Sequence, residues 1–260
     1  MMDEKQRGAQ FALKRSQAGR NAETHAASIL FNAAKKVIAE SKTHISPSGG
    51  MTREAALISK AQGIMESTAG EIEAYVKAYS EASCKILGIG NNVVDDYLAG
   101  NIYGQTFASR NSKYLSQFAE DIVKMIKAGA ILGYSDDKIL SAVRTGYKNP
   151  YATSIITKAQ KQDINIANPS YGRGFYKSAY QNLMRNVRHT IALAWGKAEQ
   201  EYGKEIGAIG FKVFRGSSYP CPTCDDECAY IHKLGDPFPP FHWHCVCGIE
   251  FIFENDDNKD

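Results

Sequence analysis

Five of the six cysteines in this chain, Cys221, Cys224, Cys228, Cys245 and Cys247, fall in one short stretch, and three of the six histidines, His232, His242 and His244, fall among them. Such a density of soft and borderline ligands constrains the local fold more than any other feature. Thiols packed this closely ligate a metal, pair as disulfides or remain as reduced structural thiols. The stretch contains Cys221-Pro-Thr-Cys224 and then His242-Trp-His-Cys245-Val-Cys247. A C-x2-C turn sets two thiolates on one side of a tight loop, and a second pair of ligands completes a tetrahedron around Zn²⁺. Cys221, Cys224, His242, Cys245 and Cys247 are therefore the candidate ligands, with Cys228 and His244 in reserve. They outnumber a four-coordinate site, so some are bystanders. A closed set of protein ligands makes a structural centre, because catalysis by zinc needs an open position.

Two alternating apolar runs flank this cluster. Gly207–Phe214 and Gly248–Phe253 read as strands that pair around it. The rest of the chain has another texture. Ala26, Leu30, Ala33 and Val37 recur at helical spacing, as do Ile72, Tyr75, Val76, Tyr79 and Ile86. Tyr114, Leu115, Phe118, Ile122, Met125 and Ile126 form a third stripe, and Ser135 caps a shorter helix carrying Ile139, Leu140 and Val143. Ser46–Gly50 breaks the first helix, with Thr52 as N-cap of the next, and Gly88 and Gly90 end the second stripe. Cys84, set among apolar neighbours, is a core thiol.

Residues 3–24 hold few large apolar groups besides Phe11 and Leu13 and read as an arm that is mobile or ordered on a partner. Asn168–Gly174 reads as a linker turn before a long helix with Tyr176, Tyr180, Leu183, Val187, Ile191, Trp195 and Ala198 on one face, closed near Gly203. The expected architecture is mainly α. A helical region over 1–165 leads through a linker turn and long helix over 166–205 to a small α+β module over 206–253, stapled by the Cys/His cluster, and an acidic tail over 254–260.

The 260 residues exceed the usual single-domain size, and 43% hydrophobic with 23% charged residues is a globular balance that excludes disordered and collagen-like classes. The net charge of +3 demands neither nucleic acid nor an acidic membrane as partner. No apolar run is long enough for an export signal or a spanning helix, so the expectation is a protein without a membrane partner. Asp225, Asp226, Glu227 and Glu250 are the acid–base candidates of a zinc-dependent nuclease or hydrolase, but a charged run beside a turn reads as solvated surface. Basic pairs at Lys14-Arg15 and Lys35-Lys36, with Arg185 and Arg188, suggest at most a weak DNA contact.

From Tyr171 onward the chain resembles the phage head morphogenesis family typified by the Mu F protein, the minor head or minor capsid proteins. The resemblance lies in the Tyr171–Gly174 turn before a helix bearing Arg185 and Arg188, the Cys221/Cys224 pair after a strand, Gly235 and Phe238, and Pro239-Pro240-Phe-His242-Trp-His-Cys245-Val-Cys247 before a final strand. Trp243 and Val246 stand where the family has proline and arginine, and Arg188 is followed by His189 and Thr190 rather than Thr-Glu. The resemblance implies a minor virion component inside the head near the portal and in the host cytoplasm beforehand. Its partners would be portal, scaffold or capsid proteins, with co-ejection alongside DNA a further expectation. Two other readings are a zinc-dependent nucleic-acid-processing enzyme or effector, and a non-catalytic DNA-binding internal virion protein.

Overall fold

A computed structural model describes residues 3–46, 50–102, 104–148, 154–161 and 178–254. The chain is mainly helical with one small sheet. In chain order, α1 spans Glu4–Glu40, α2 Glu54–Glu66, α3 Ala69–Leu87, α4 Asn92–Ala99 and α5 Phe107–Ile131. They are followed by α6 Asp136–Lys148, α7 Ile155–Ala159 and α8 Ala179–Glu205. Strand β1 (Gly210–Phe214), helix α9 (Pro222–Cys228), β2 (Ile231–Lys233) and β3 (Gly248–Ile252) complete the order. None of the described helices is long and apolar enough to cross a membrane.

The residues group into two compact units that do not follow sequence order. The first gathers Met1–Thr24, Ala74–Phe107 and Val187–Asp260, and the second His25–Glu73 and Ala108–Asn186. Both units draw on segments far apart in the chain. Helix length supplies the reason. At 1.5 Å rise per residue the 37 residues of α1 span about 55 Å, well beyond the width of one small core. Helices α1, α3 and α8 each contribute residues to both units.

In the second unit the expected apolar stripe of α5 is buried. Leu115, Phe118, Ile122 and Ile126 have no exposure. Tyr180 stacks on Phe31 at 5.7 Å and meets Phe118 at 6.1 Å, and Ala128 packs with Ile155, Ile156 and Ala159. Ser154 caps α7 by accepting from the Thr157 amide at 3.0 Å. Asp121 lies buried on α5 with its Oδ1 unpartnered, and burial pushes its carboxyl up to about 7. Thr52 is not the cap of α2. Its hydroxyl donates to the His44 carbonyl at 3.1 Å, and Arg53, in the left-handed region at φ 55°, takes the cap position.

In the first unit the stretch expected as a partner-bound arm is the start of α1 and packs within its own chain. Phe11, Ala12, Arg15, Ala18 and Ala22 are buried. Small residues at helical spacing serve here where large apolar ones are scarce. Phe11 lies 4.9 Å from Trp195 of α8, whose indole N–H donates to the Tyr79 carbonyl at 2.8 Å. Cys84 is a core thiol with Val94, Ala194 and Ala198. Gly203 does not end α8; it leaves room for the Phe251 ring, and Gly207, at φ 75°, makes the stop. That turn delays β1 to Gly210.

The sheet has the order β2-β1-β3 and both pairings are antiparallel. Phe211 opposes Phe251, and Val213 opposes Ile249, so alternate residues turn the same apolar face inward. Strand β2, three residues long, had no counterpart in the sequence reading. The 168–174 turn, Tyr176 and the tail beyond Glu254 lie outside the described residues.

Candidate metal centre

The cluster is assembled by two segments of the first unit. Cys221 is the N-cap residue of α9 in extended conformation, and Pro222 starts the helix with a preset φ. Cys224 follows on the first turn and is buried. The second segment runs from Pro239 to β3. The Cys245 amide donates to the His242 carbonyl at 3.1 Å across a turn in which His244 has φ 64°. That turn sets His242 and Cys245 on one side, and Cys247 follows just before β3.

Two overlapping groups result, Cys221/Cys224/His242 and Cys224/Cys245/Cys247, with ligand atoms within 4.8 Å of one another in each. Cys224 is common to both. His242 Nε2 lies 2.9 Å from Cys224 Sγ and 3.2 Å from Cys221 Sγ, and Cys224 Sγ lies 3.9 Å from Cys245 Sγ. Zinc–sulfur bonds of about 2.3 Å at tetrahedral angles put ligand sulfurs about 3.7 Å apart, so the thiol–thiol edge fits. His242 Nδ1 lies 2.7 Å from the Trp243 carbonyl, which only accepts, so Nδ1 carries the hydrogen and the Nε2 lone pair faces the thiols. This cluster of Cys224, Cys245, Cys247 and His242, with Cys221 beside it, can hold a metal ion.

The electrostatics point the same way. A hydrogen bond from the Cys247 thiol, against the effect of burial and with help from the Arg15 cation, brings Cys245 down to about 5. Burial, with the neighbouring negative sulfur, pushes Cys224 up to about 12, and Cys247 is pushed up by its bond to Cys245 and by burial. Protons are held more tightly on Cys224 and Cys247 than on Cys245. A bound divalent ion reverses this by deprotonating the thiols that ligate it.

The reserves stay outside. Cys228 is half-buried one turn beyond Cys224, and His244 is exposed; neither belongs to the clusters. His232 stacks on Phe211 at 4.9 Å and donates to the Glu227 carbonyl at 2.8 Å. Among the described residues the clusters contain no carboxylate. Asp225 and Asp226 are exposed, and Asp225 pairs with Arg215. All six cysteines are free thiols.

A buried cation lies behind the cluster. Arg15, whose pairing with Lys14 suggests a basic surface, is 2% exposed, because it follows Phe11 by four residues on the inward face of α1. Its guanidinium donates to the Cys247 carbonyl at 2.5 Å and to the Pro239 carbonyl at 3.4 Å. Glu199 of α8 is 1% exposed, and Arg7 donates to it at 3.3 Å. Burial pushes Glu199 up to about 7 against the pull of Arg7 and Arg15. Arg188 pairs with Glu23 at 3.5 Å.

Comparisons with family models, with curated proteins and with solved structures give no match to this chain.

Proposed function

We propose that the cluster is a structural zinc centre, and that the chain is a minor head protein of a phage or prophage that acts in assembly near the portal. The zinc reading is carried by one observation: buried thiols and one imidazole converge from two segments on either side of β2 with no carboxylate among them. Thiolates with imidazole select zinc over the hard cations, and a closed tetrahedron leaves no position for water. The ion joins α9 to the turn before β3 and so fixes a sheet too small to hold itself. The head-protein reading is supported by the sequence resemblance from Tyr171 onward.

Protein purified without chelator should contain one zinc per chain by elemental analysis. A chain with no bound metal, or one that binds zinc equally well after His242→Ala and Cys224→Ser, would remove the zinc reading. For the function, the protein should copurify with assembled heads of the phage that encodes it. Its absence from heads, joined to metal-dependent cleavage of nucleic acid that His242→Ala abolishes, would turn the reading to an enzyme.

A further inference from the structure

The zinc reading leaves unexplained why a guanidinium from the first helix is buried against the ligand segment. Arg15 comes from α1, more than two hundred residues away in sequence, and its two contacts are both backbone carbonyls. Pro239 and Cys247 are the carbonyls it reaches, and His242, Cys245 and Cys247 all lie in the segment they delimit. The same segment is gripped by helix backbones. A Cβ on Gly196 of α8 would collide with the Pro239 carbonyl, and a Cβ on Gly8 of α1 would collide with that of Ile249. Helix backbone therefore lies against the carbonyl that starts the ligand segment and against β3 just beyond its end, and the guanidinium reaches the carbonyls at both ends of the segment.

We propose that Arg15 is a positioning residue of the metal centre: its forked guanidinium ties the Pro239 and Cys247 carbonyls together and so holds His242 and Cys245 in ligating geometry. The proposal rests on the zinc reading. A planar fork with several donors suits two carbonyls held apart at fixed angles, which a single ammonium does not match. Charge adds to geometry. Three thiolates (−3) and a divalent ion (+2) leave a centre of −1, and a buried centre of that sign is stabilised by a cation close by. Glu199, a buried acid that interacts electrostatically with Arg15, is paired with Arg7 and pushed toward its neutral form by burial, so it offsets the guanidinium only in part. The charged metal centre supplies the remaining counter-charge. Residues that orient ligands without touching the ion commonly contribute about 10- to 100-fold to metal affinity.

The full-length chain is stripped of metal and titrated with zinc against a chromophoric chelator, and separately loaded with cobalt for its visible spectrum. Arg15→Met should bind zinc about 10- to 100-fold more weakly, with a cobalt spectrum that keeps the thiolate charge-transfer bands, since no ligand is removed. The rise in melting temperature on adding zinc should shrink in the same variant. Arg15→Lys, which keeps the charge and loses the fork, should fall between parent and Arg15→Met, and it carries the test if the methionine variant does not fold. Parent-like zinc affinity in either variant overturns the proposal. So does a melting temperature lowered equally in stripped and loaded protein, which marks a residue that supports only the fold. If the parent chain takes up neither zinc nor cobalt, the zinc reading itself fails, and that outcome is recognised from the parent alone.

Discussion

Around Phe118 the second unit is filled by Leu115, Ile122 and Ile126, all without exposure, and the side chains come from helices whose apolar stripes repeat over several turns. Around Cys224 the first unit is filled by Cys245, Cys247 and the imidazole of His242, with Arg15 of α1 behind them, beside a sheet whose strands have only five, three and five residues. Hydrocarbon needs only to be excluded from water, and each added turn of helix excludes more. Thiols and a guanidinium are stable in an interior only when every one of them has a partner. A helical core thus degrades gradually as side chains are trimmed, whereas a three-stranded sheet closed by heteroatoms fails when one shared partner is lost.

The sharpest break of that contrast is Cys224→Ser, since Cys224 belongs to both ligand groups. The variant should lose its zinc, and amide exchange should show β1 and β3 unprotected while α5 stays protected. Structural zinc sites contribute an apparent ~10 kcal/mol or more, which exceeds what so small a sheet gains by itself. Protected β1 and β3 amides in the metal-free variant would show that the apolar face formed by Phe211, Val213, Ile249 and Phe251 suffices. Phe118→Ala tests the other side. It should cost about 3–5 kcal/mol in denaturant unfolding and leave zinc affinity unchanged; a shift in metal affinity would contradict the separation.

The smallest effect sharpens the comparison instead of breaking it, because each unit buries one carboxyl raised to about 7, Glu199 in the first and Asp121 in the second. In this window the folded state keeps a proton that the unfolded state releases, so stability falls as pH rises from the unfolded carboxyl value near 4 toward 7, and is level above it. Each group contributes on the order of 4 kcal/mol to that fall at most. Glu199→Gln and Asp121→Asn should each flatten the decline relative to the parent when unfolding is followed at a series of pH values. Parallel profiles for parent and variants would show that neither carboxyl is protonated in the fold.

What the sequence made legible follows from the range of the signal. The α5 stripe, the capping Ser135, the stop at Gly88 and the pairing of two runs around the cysteines are local patterns, and the structure contains all of them. The five ligand candidates fall in the two groups because C-x2-C and H-x2-C-x-C are short-range spacings, and Cys228 and His244 drop out for reasons visible only in three dimensions. Strand β2 escaped because three residues are too few to show alternation. Arg15 escaped because arginine in a helix defaults to solvent, although its place on the Phe11, Ala18 and Ala22 face was the available sign. The interleaved units were illegible because periodicity says which face of a helix is buried and nothing of what covers it.

The contact between Arg15 and Cys247 crosses 232 residues. On a ribosome adding roughly 5–20 residues per second, Arg15 emerges on the order of ten to fifty seconds before the carbonyl it binds. For most of that interval Phe11 has no Trp195 of helix α8 to pack against. The second unit, whose last stretch ends at Asn186, can close first. Its helices are complete in the nascent chain before Cys221 is added, so the metal centre is expected to form after the second unit.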